Sequence, residues 1–349
     1  MHLHRCNNAT LASPLLEAIA CDATIDAAYA WLCNQRSRYP ANADSWHLRF
    51  HWQAHRSALI ARLRSGNYQF SPQQLLVCAN GKHVHLWCAE DALVQKAMAI
   101  VLGTALPVSP RCTHVKGHGG LKGALRWLRA KLPLNQFVFR SDVKGYYENI
   151  DHAVLLQQLD ALVPDKAVLR LLTQVIGRTV ESGGIFNFIK KGIGRGSPLS
   201  PLLAAIYLKP LDDVLDRAGI AYVRYMDDWV IMTPRRHQLR KGIRLITQTL
   251  HQLKLSTHPD KTWVGKIDRG FTFLGYHHTP AGVKPAKDTI ARFRERITQL
   301  YEQGADQARI GAYETRWWRW VCAGLPRTQV LVEQTALTGA RGRLAYAQL

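Results

Sequence analysis

The chain is short of acidic residues, paired cysteines and long apolar runs, and each shortage narrows what the protein can be. Its 349 residues include seven cysteines, at positions 6, 21, 33, 78, 88, 112 and 322, an odd set with no C-x-x-C pair. That pattern argues against a disulfide framework and fits reduced thiols. Fifteen histidines, among them His83, His85, His114 and His118, have no cysteines at finger-like spacing, which argues against structural zinc. They read as surface or nucleic-acid-facing groups. Uncharged apolar stretches such as residues 97–108 fall short of a membrane span, and Met1-His2-Leu3-His4-Arg5 carries no signal-peptide pattern. The expectation is a cytoplasmic protein with no membrane contact. No internal repeat or low-complexity tract is present.

The acid shortage is the most informative of these. Forty-six Lys and Arg stand against 25 Asp and Glu, a formal charge of +21 with a pI near 10.0. Such an excess favours a polyanionic partner through counterion release. Residues 111–144 concentrate it, with Arg111, Lys116, Lys122, Arg126, Arg129, Lys131, Arg140 and Lys144 against a single acid, Asp142. A lone carboxylate in a basic stretch points to a local function. An apolar fraction of 47% and this length suit a globular chain of two or three subdomains.

Residues 1–60 read as a helical lead-in, which 46–63 continues as a basic amphipathic stretch ending at Gly66. Residues 68–85 read as strands joined at Asn80-Gly81, a strong hairpin dipeptide, with Lys82 beside the tip. Helices are expected over 89–105 and 119–132, the second with Leu121, Leu125, Leu128 and Leu132 on one side and Lys122, Arg126 and Arg129 over the rest. A β-prone run, 137–141, then ends at Asp142. Helices over 151–162 and 165–176, a turn at Gly183-Gly184, and a helix capped by Ser200 with Pro201 in its first turn come next. Beyond a helix at 236–253 and strands around 271–276, Pro280, Gly282 and Pro285 suggest a boundary before a helical, basic remainder carrying Arg316 and Arg319 among Trp317, Trp318 and Trp320.

Between the apolar runs 220–223 and 229–232 stands Tyr225-Met226-Asp227-Asp228, an adjacent acid pair at the tip of an expected β-hairpin. Two neighbouring carboxylates repel unless something cationic neutralises them. Asp142, closing another strand, supplies a third. Three hard oxygen donors on neighbouring strands suit a pair of Mg²⁺ ions, with Mn²⁺ as the alternative, clamping the attacking and leaving oxygens of a phosphoryl transfer.

Five segments in order, Ser141-Asp142 through Tyr146-Tyr147 to His152, Gly196-Ser197-Pro198-Leu199-Ser200-Pro201 through Leu208, Tyr225-Met226-Asp227-Asp228, Lys261-Thr262 and Phe273-Leu274-Gly275-Tyr276, resemble the palm motifs of bacterial reverse transcriptases of the group II intron type. The resemblance covers roughly residues 60–280. It implies an α+β right-hand polymerase: an N-terminal helical extension (1–60), fingers (61–135), a palm (136–282, with a helical insertion at about 153–190) and a helical thumb (283–349). It implies Asp142, Asp227 and Asp228 as catalytic and metal-holding acids, with the Val143 carbonyl as a further ligand. Lys82, Tyr147, Arg195 and Lys261 are the implied dNTP contacts, with Tyr147 at the steric gate that selects deoxynucleotides and Lys261 near the incoming triphosphate. Phe273, Leu274, Gly275 and Tyr276 match the segment that supports the primer. Lys116, Lys122, Arg126, Arg129, Arg316 and Arg319 are the expected nucleic-acid contacts. The partners implied are dNTPs, an RNA template of the structured non-coding kind, and a DNA product or RNA–DNA hybrid.

Two departures from the family pattern stand out. Gly194-Arg195 replaces the usual Pro-Gln, putting a permanent cation, Arg195, where an amide tracks the template. The finger hairpin lacks its triphosphate-binding Arg and offers Lys82, His83 and His85 instead. No His-Asn-His nuclease pattern follows the thumb, so the chain resembles compact stand-alone relatives, including retron and phage-defence enzymes. Two alternatives stay open: an RNA-binding or splicing-assistance protein with a dispensable polymerase site, and a template-independent or DNA-templated polymerase.

Overall fold

The computed structural model describes residues 14–77 and 83–325. It is α+β and separates into two compact units, each drawn from three stretches of chain: 1–109, 144–210 and 251–255 in the first, 110–143, 211–250 and 256–349 in the second.

The chain opens in the first unit with α1 (Pro14–Ile19), α2 (Asp22–Gln35), α3 (Asp44–Phe50), α4 (Trp52–Arg64), β1 (Gln73–Val77), β2 (His83–Leu86) and α5 (Ala89–Ala105). It enters the second unit with α6 (Gly120–Lys131) and β3 (Phe137–Ser141), and returns to the first with α7 (Tyr146–Asn149), α8 (His152–Leu162), α9 (Lys166–Ile176), β4 (Thr179–Ser182), β5 (Ile185–Phe188) and α10 (Ser200–Tyr207). The second unit is completed by α11 (Lys209–Arg217), β6 (Ala221–Tyr225), β7 (Asp228–Thr233), α12 (Arg236–Gln252), β8 (Trp263–Lys266), β9 (Phe271–Phe273), β10 (Tyr276–Thr279), β11 (Gly282–Pro285), α13 (Lys287–Glu302) and α14 (Gln307–Gly324).

In the first unit β1 pairs antiparallel with β2 and parallel with β4, giving the order β2-β1-β4-β5. Asp151 and Asp165 N-cap α8 and α9, their carboxylates accepting from Val154 N–H at 3.1 Å and from Ala167 and Val168 N–H at 3.0 and 3.2 Å. The second unit holds a sheet in the order β6-β7-β3-β8 and a three-stranded sheet β11-β10-β9. Val138, Val223, Val230 and Met232 bury one sheet face against Ala124, Leu128 and Leu132 of the α6 segment, with Phe271 and Phe273 in the same cluster. That packing fixes the register of β3 against β7, because a slip of one residue would turn the apolar set outward.

Three expectations are corrected. The stretch 46–63 is two helices, broken at His51, whose ψ of 18° leaves the helical range. Ser200 does not cap α10; Leu199 precedes the helix, and the Ser200 hydroxyl donates to the Gly194 carbonyl at 2.6 Å. The insertion read as helical to about 190 ends in the β4–β5 hairpin, turned by Gly183 and Gly184, both at positive φ. Pro280 lies in the turn of the β10–β11 hairpin, Gly282 begins β11, and Pro285 ends it two residues before α13 starts at Lys287. The Asn80-Gly81 tip and Lys82 lie outside the described residues, though β1 and β2 flank them in antiparallel register.

Candidate active site

The acid pair sits on the tightest kind of hairpin. β6 and β7 pair from Ala221 opposite Met232 to Tyr225 opposite Asp228, leaving Met226 and Asp227 as a two-residue tip. Such loops follow the strand twist when the first tip residue has positive φ, and Met226 has φ 59°. β3 pairs with β7 as far as Ser141 opposite Trp229, and one further step in that register sets Asp142 opposite Asp228. Residues opposite one another in antiparallel strands project on one face. The pairing therefore brings acids 86 positions apart in sequence to one sheet edge.

Asp142 is buried, at 4% exposure, and its two carboxylate oxygens differ. Oδ2 accepts from the Lys261 ammonium at 2.6 Å, while Oδ1 is buried with no hydrogen-bond partner. The Asp142 carbonyl accepts from His258 N–H at 2.9 Å, and Val143, also buried, bridges to Thr257. Burial pushes the Asp228 carboxyl up to about 6, and repulsion from Asp227 and then Asp142 adds to it. Asp227 is raised as well, first by burial. Its bond with Asp142 raises the Lys261 ammonium, with further support from Asp228 and Asp227.

Arg140 also belongs to this neighbourhood. Two residues before Asp142 on β3, it shares that residue's face, and its charge is felt by Asp228 and Asp142. Burial lowers its pKa, and its Nε is buried without a hydrogen-bond partner. The i, i+2 spacing on a strand was the available sequence signal for it.

Among the described residues no three His, Cys, Asp or Glu side chains stand close enough to enclose a metal ion as they are placed. The donor set nonetheless fits a hard divalent cation. It offers three carboxylates, two of them destabilised by burial and mutual repulsion, and one buried carboxylate oxygen that lacks a partner. Lys261 holds the other oxygen of Asp142 in the interim.

Of the remaining expected residues, Tyr147 and Arg195 lie in the first unit. In the adjacent pair, Tyr146 is the core residue, its hydroxyl donating to the Ala204 carbonyl at 2.5 Å, while the Tyr147 ring is half-buried and edge-on to it. Arg195 is exposed and pairs with Glu148 at 2.9 Å. Phe273 and Tyr276 are core residues, and the Tyr276 hydroxyl donates to the Trp320 and Val321 carbonyls at 2.8 and 3.1 Å. Between them Leu274 and Gly275, at φ 48° and 83°, form the β9–β10 turn. A Cβ on Gly275 would stand 2.7 Å from the Trp320 ring, so the close approach its sequence suggested is, within the chain, to α14. Lys116, Lys122, Arg126, Arg316 and Arg319 are exposed and Arg129 half-buried. Trp317 stacks on Phe293 at 4.1 Å, which commits one face of that ring to the fold.

Parts of the chain match known proteins. The family model described as reverse transcriptase (RNA-dependent DNA polymerase) matches residues 95–278. Protein YkfC of Escherichia coli (strain K12) is 23% identical over 263 residues, covering 61% of this chain and 68% of that protein. The group II intron-encoded protein LtrA of Lactococcus lactis subsp. cremoris is 25% identical over 203 residues, covering 56% of this chain and 34% of LtrA. A chain of a partial Cas6-RT-Cas1–Cas2 complex aligns at 21% identity and a TM-score of 0.42, over 73% of this chain and 46% of that one. The chain thus spans about two thirds of one of these relatives and less than half of the others. Among the described residues, no helix is long and apolar enough to cross a membrane.

Proposed function

The chain belongs to the reverse transcriptase (RNA-dependent DNA polymerase) family, and we propose that it extends a primer 3′-hydroxyl with deoxynucleotides copied from an RNA template. The carrying observation is the register of β3 against β7, which sets Asp142 beside the Asp227-Asp228 tip on one edge. In this reading the β6-β7-β3-β8 sheet is the floor of the palm, the β1–β2 hairpin belongs to the fingers, and α13 and α14 form the thumb.

Asp142, Asp227 and Asp228, with the Val143 carbonyl, would hold Mg²⁺, which when bound supplies positive charge at the primer hydroxyl and at the departing pyrophosphate. The rest of the assignment concerns the chain's own groups. Lys261 neutralises the acid cluster from the Asp142 side and, being protonated, can give a proton to the leaving pyrophosphate. The half-buried ring of Tyr147 supports its role as the gate against a ribose 2′-hydroxyl, since a core tyrosine would be enclosed as Tyr146 is. Arg195 and Lys82 are assigned to the template strand and the triphosphate. The exposed cations Lys116, Lys122 and Arg126, together with Arg316 and Arg319, serve phosphate contacts on the template and product.

The test is primer extension on an RNA template by the purified chain, with Mg²⁺ present or chelated. Wild type should extend only with the metal, and Asp227→Asn should lose incorporation while retaining RNA binding. Extension by the Asp227→Asn protein at the wild-type rate would refute the assignment.

A further inference from the structure

Two side chains from outside the acid cluster grip the backbone of Met226. Its N–H donates to Nδ1 of His114 at 3.0 Å, and its carbonyl accepts from Nη1 of Arg224 at 2.8 Å. Met226 is one of three non-glycine residues at positive φ among those described, a conformation an L side chain resists. Without external support the turn would relax toward an ordinary one and rotate the Asp227 carboxylate with it.

Neither grip is incidental to the fold. Arg224 lies on β6 with no exposure, and its guanidinium meets Asp212 of α11 with two bonds, Nε to Oδ1 at 3.0 Å and Nη2 to Oδ2 at 2.5 Å. An ion pair this buried adds little net stability over a packed apolar pair of the same size. What it adds is a guanidinium fixed in orientation, with Nη1 aimed at the tip. His114 arrives by a separate route. The segment before it runs along the outer edge of β6: Arg224 N–H donates to the Arg111 carbonyl and Thr113 N–H to the Arg224 carbonyl, both at 2.9 Å. The next residue is then delivered to the tip, where its ring also lies edge-on to Tyr225. Because Nδ1 accepts from Met226, the neutral ring carries its proton on Nε2. The Cys112 thiol lies 3.4 Å from the same nitrogen.

We infer that His114 and the Arg224–Asp212 pair are positioning residues that hold the Met226 turn left-handed and so set where Asp227 and Asp228 project. The inference deepens the reading of those acids as the metal-holding site and rests on it.

The alternative is that these contacts merely stabilise the hairpin, and three measurements on the purified full chain separate the two: kcat and KM for dNTP in primer extension, Mn²⁺ binding followed by electron paramagnetic resonance, and the melting temperature. His114→Leu, which cannot accept the Met226 N–H, should lower kcat about tenfold with KM within about twofold, and should weaken Mn²⁺ binding by several-fold. His114→Asn, whose carboxamide oxygen stands near the position of Nδ1, should recover most of both losses. Met226→Gly removes the steric objection to positive φ, so adding His114→Leu to it should cost no more than about twofold. Should His114→Leu not accumulate as folded protein, His114→Phe replaces it in the same comparison. Equal behaviour of the Leu and Asn variants, an undiminished penalty in the Met226→Gly background, or a lowered melting temperature with kcat and Mn²⁺ binding intact would each overturn the inference. Asp142→Asn in the same Mn²⁺ titration checks the site beneath it. Wild-type binding by that variant would remove the site itself, a result none of the His114 variants can produce.

Discussion

Asp228 offers a test in which stability and activity move in opposite directions. Its carboxyl titrates near 6 against an ordinary value of 3.8, first because it is buried and then because Asp227 and Asp142 repel its charge. A carboxyl whose folded pKa is raised holds its proton more tightly in the folded chain. The folded state therefore keeps its full advantage below pH 3.8, and loses it as pH climbs through 6. At about 1.36 kcal/mol per pH unit, keeping Asp228 ionised in the folded protein costs about 3 kcal/mol above pH 7. Asp228→Asn removes the charge and little of the volume. In metal-free buffer at pH 8 the variant should be more stable than wild type by up to about 3 kcal/mol, or several degrees of melting temperature. At pH 4.5, where wild-type Asp228 is largely protonated when folded, the advantage should shrink to about 1 kcal/mol. Polymerisation should be lost at every pH, and the stabilisation that Mg²⁺ gives wild type should be much reduced. Thermal melts at both pH values, with chelator and with Mg²⁺, read all of this. A variant no more stable than wild type at pH 8 without metal, or one whose advantage is the same at pH 4.5, would show that the cluster is not under the electrostatic load described.

Three further outcomes are expected. Lys261→Ala removes the cation bonded to Asp142; it should reduce kcat by tenfold or more and push the Asp228 carboxyl higher still, moving the acid limb of the pH–rate profile upward. An unmoved limb would place Lys261 outside the cluster's field. Tyr147→Ala should raise incorporation of ribonucleotides relative to deoxynucleotides by at least about tenfold without altering Mn²⁺ binding, as measured by single-nucleotide competition; unchanged selectivity would count against the gate. Gly275→Ala places a Cβ 2.7 Å from the Trp320 ring at φ 83°, and should cost about 2 kcal/mol or more of unfolding free energy in a denaturant titration. A neutral result there would mean that the β9–β10 turn and α14 can part without penalty.

Local pattern carried much of the fold. The helix at 89–105 and the strand at 137–141 have the ends expected of them, because each is bounded by strong signals within a few residues. The β4–β5 hairpin was harder to see, since β4 finds its parallel partner in β1, about a hundred residues earlier, and β5 is exposed along its whole length with no inward alternation to detect. Ser200 has a capping residue's chemistry but spends its hydroxyl on Gly194, a choice only tertiary structure makes. At the site, the three acids could be nominated from residue type and order, and Lys261 from the family resemblance. The grip on Met226 could not, because it depends on residues 111–114 lying against β6. One clue was available: an arginine at 224 inside an apolar strand must find a buried acid, and Asp212, beside Leu211 on an amphipathic helix, was the candidate within reach.

The interleaving of the two units bears on how the chain is made. The first unit receives a late tie at Leu253, whose carbonyl accepts from the Tyr207 hydroxyl at 2.7 Å, and at Lys254, paired with Asp151 at 2.7 Å. In the second, β3 emerges early from the ribosome, yet its neighbour β8 begins only at Trp263, and α14, which packs on Tyr276, ends at Gly324. A nascent chain must therefore carry an unpaired edge of β3 through more than a hundred residues of synthesis, a condition that invites mispairing. Any single cut of the polypeptide between residues 145 and 250 would divide both bodies at once, so neither could be produced as a free-standing fragment.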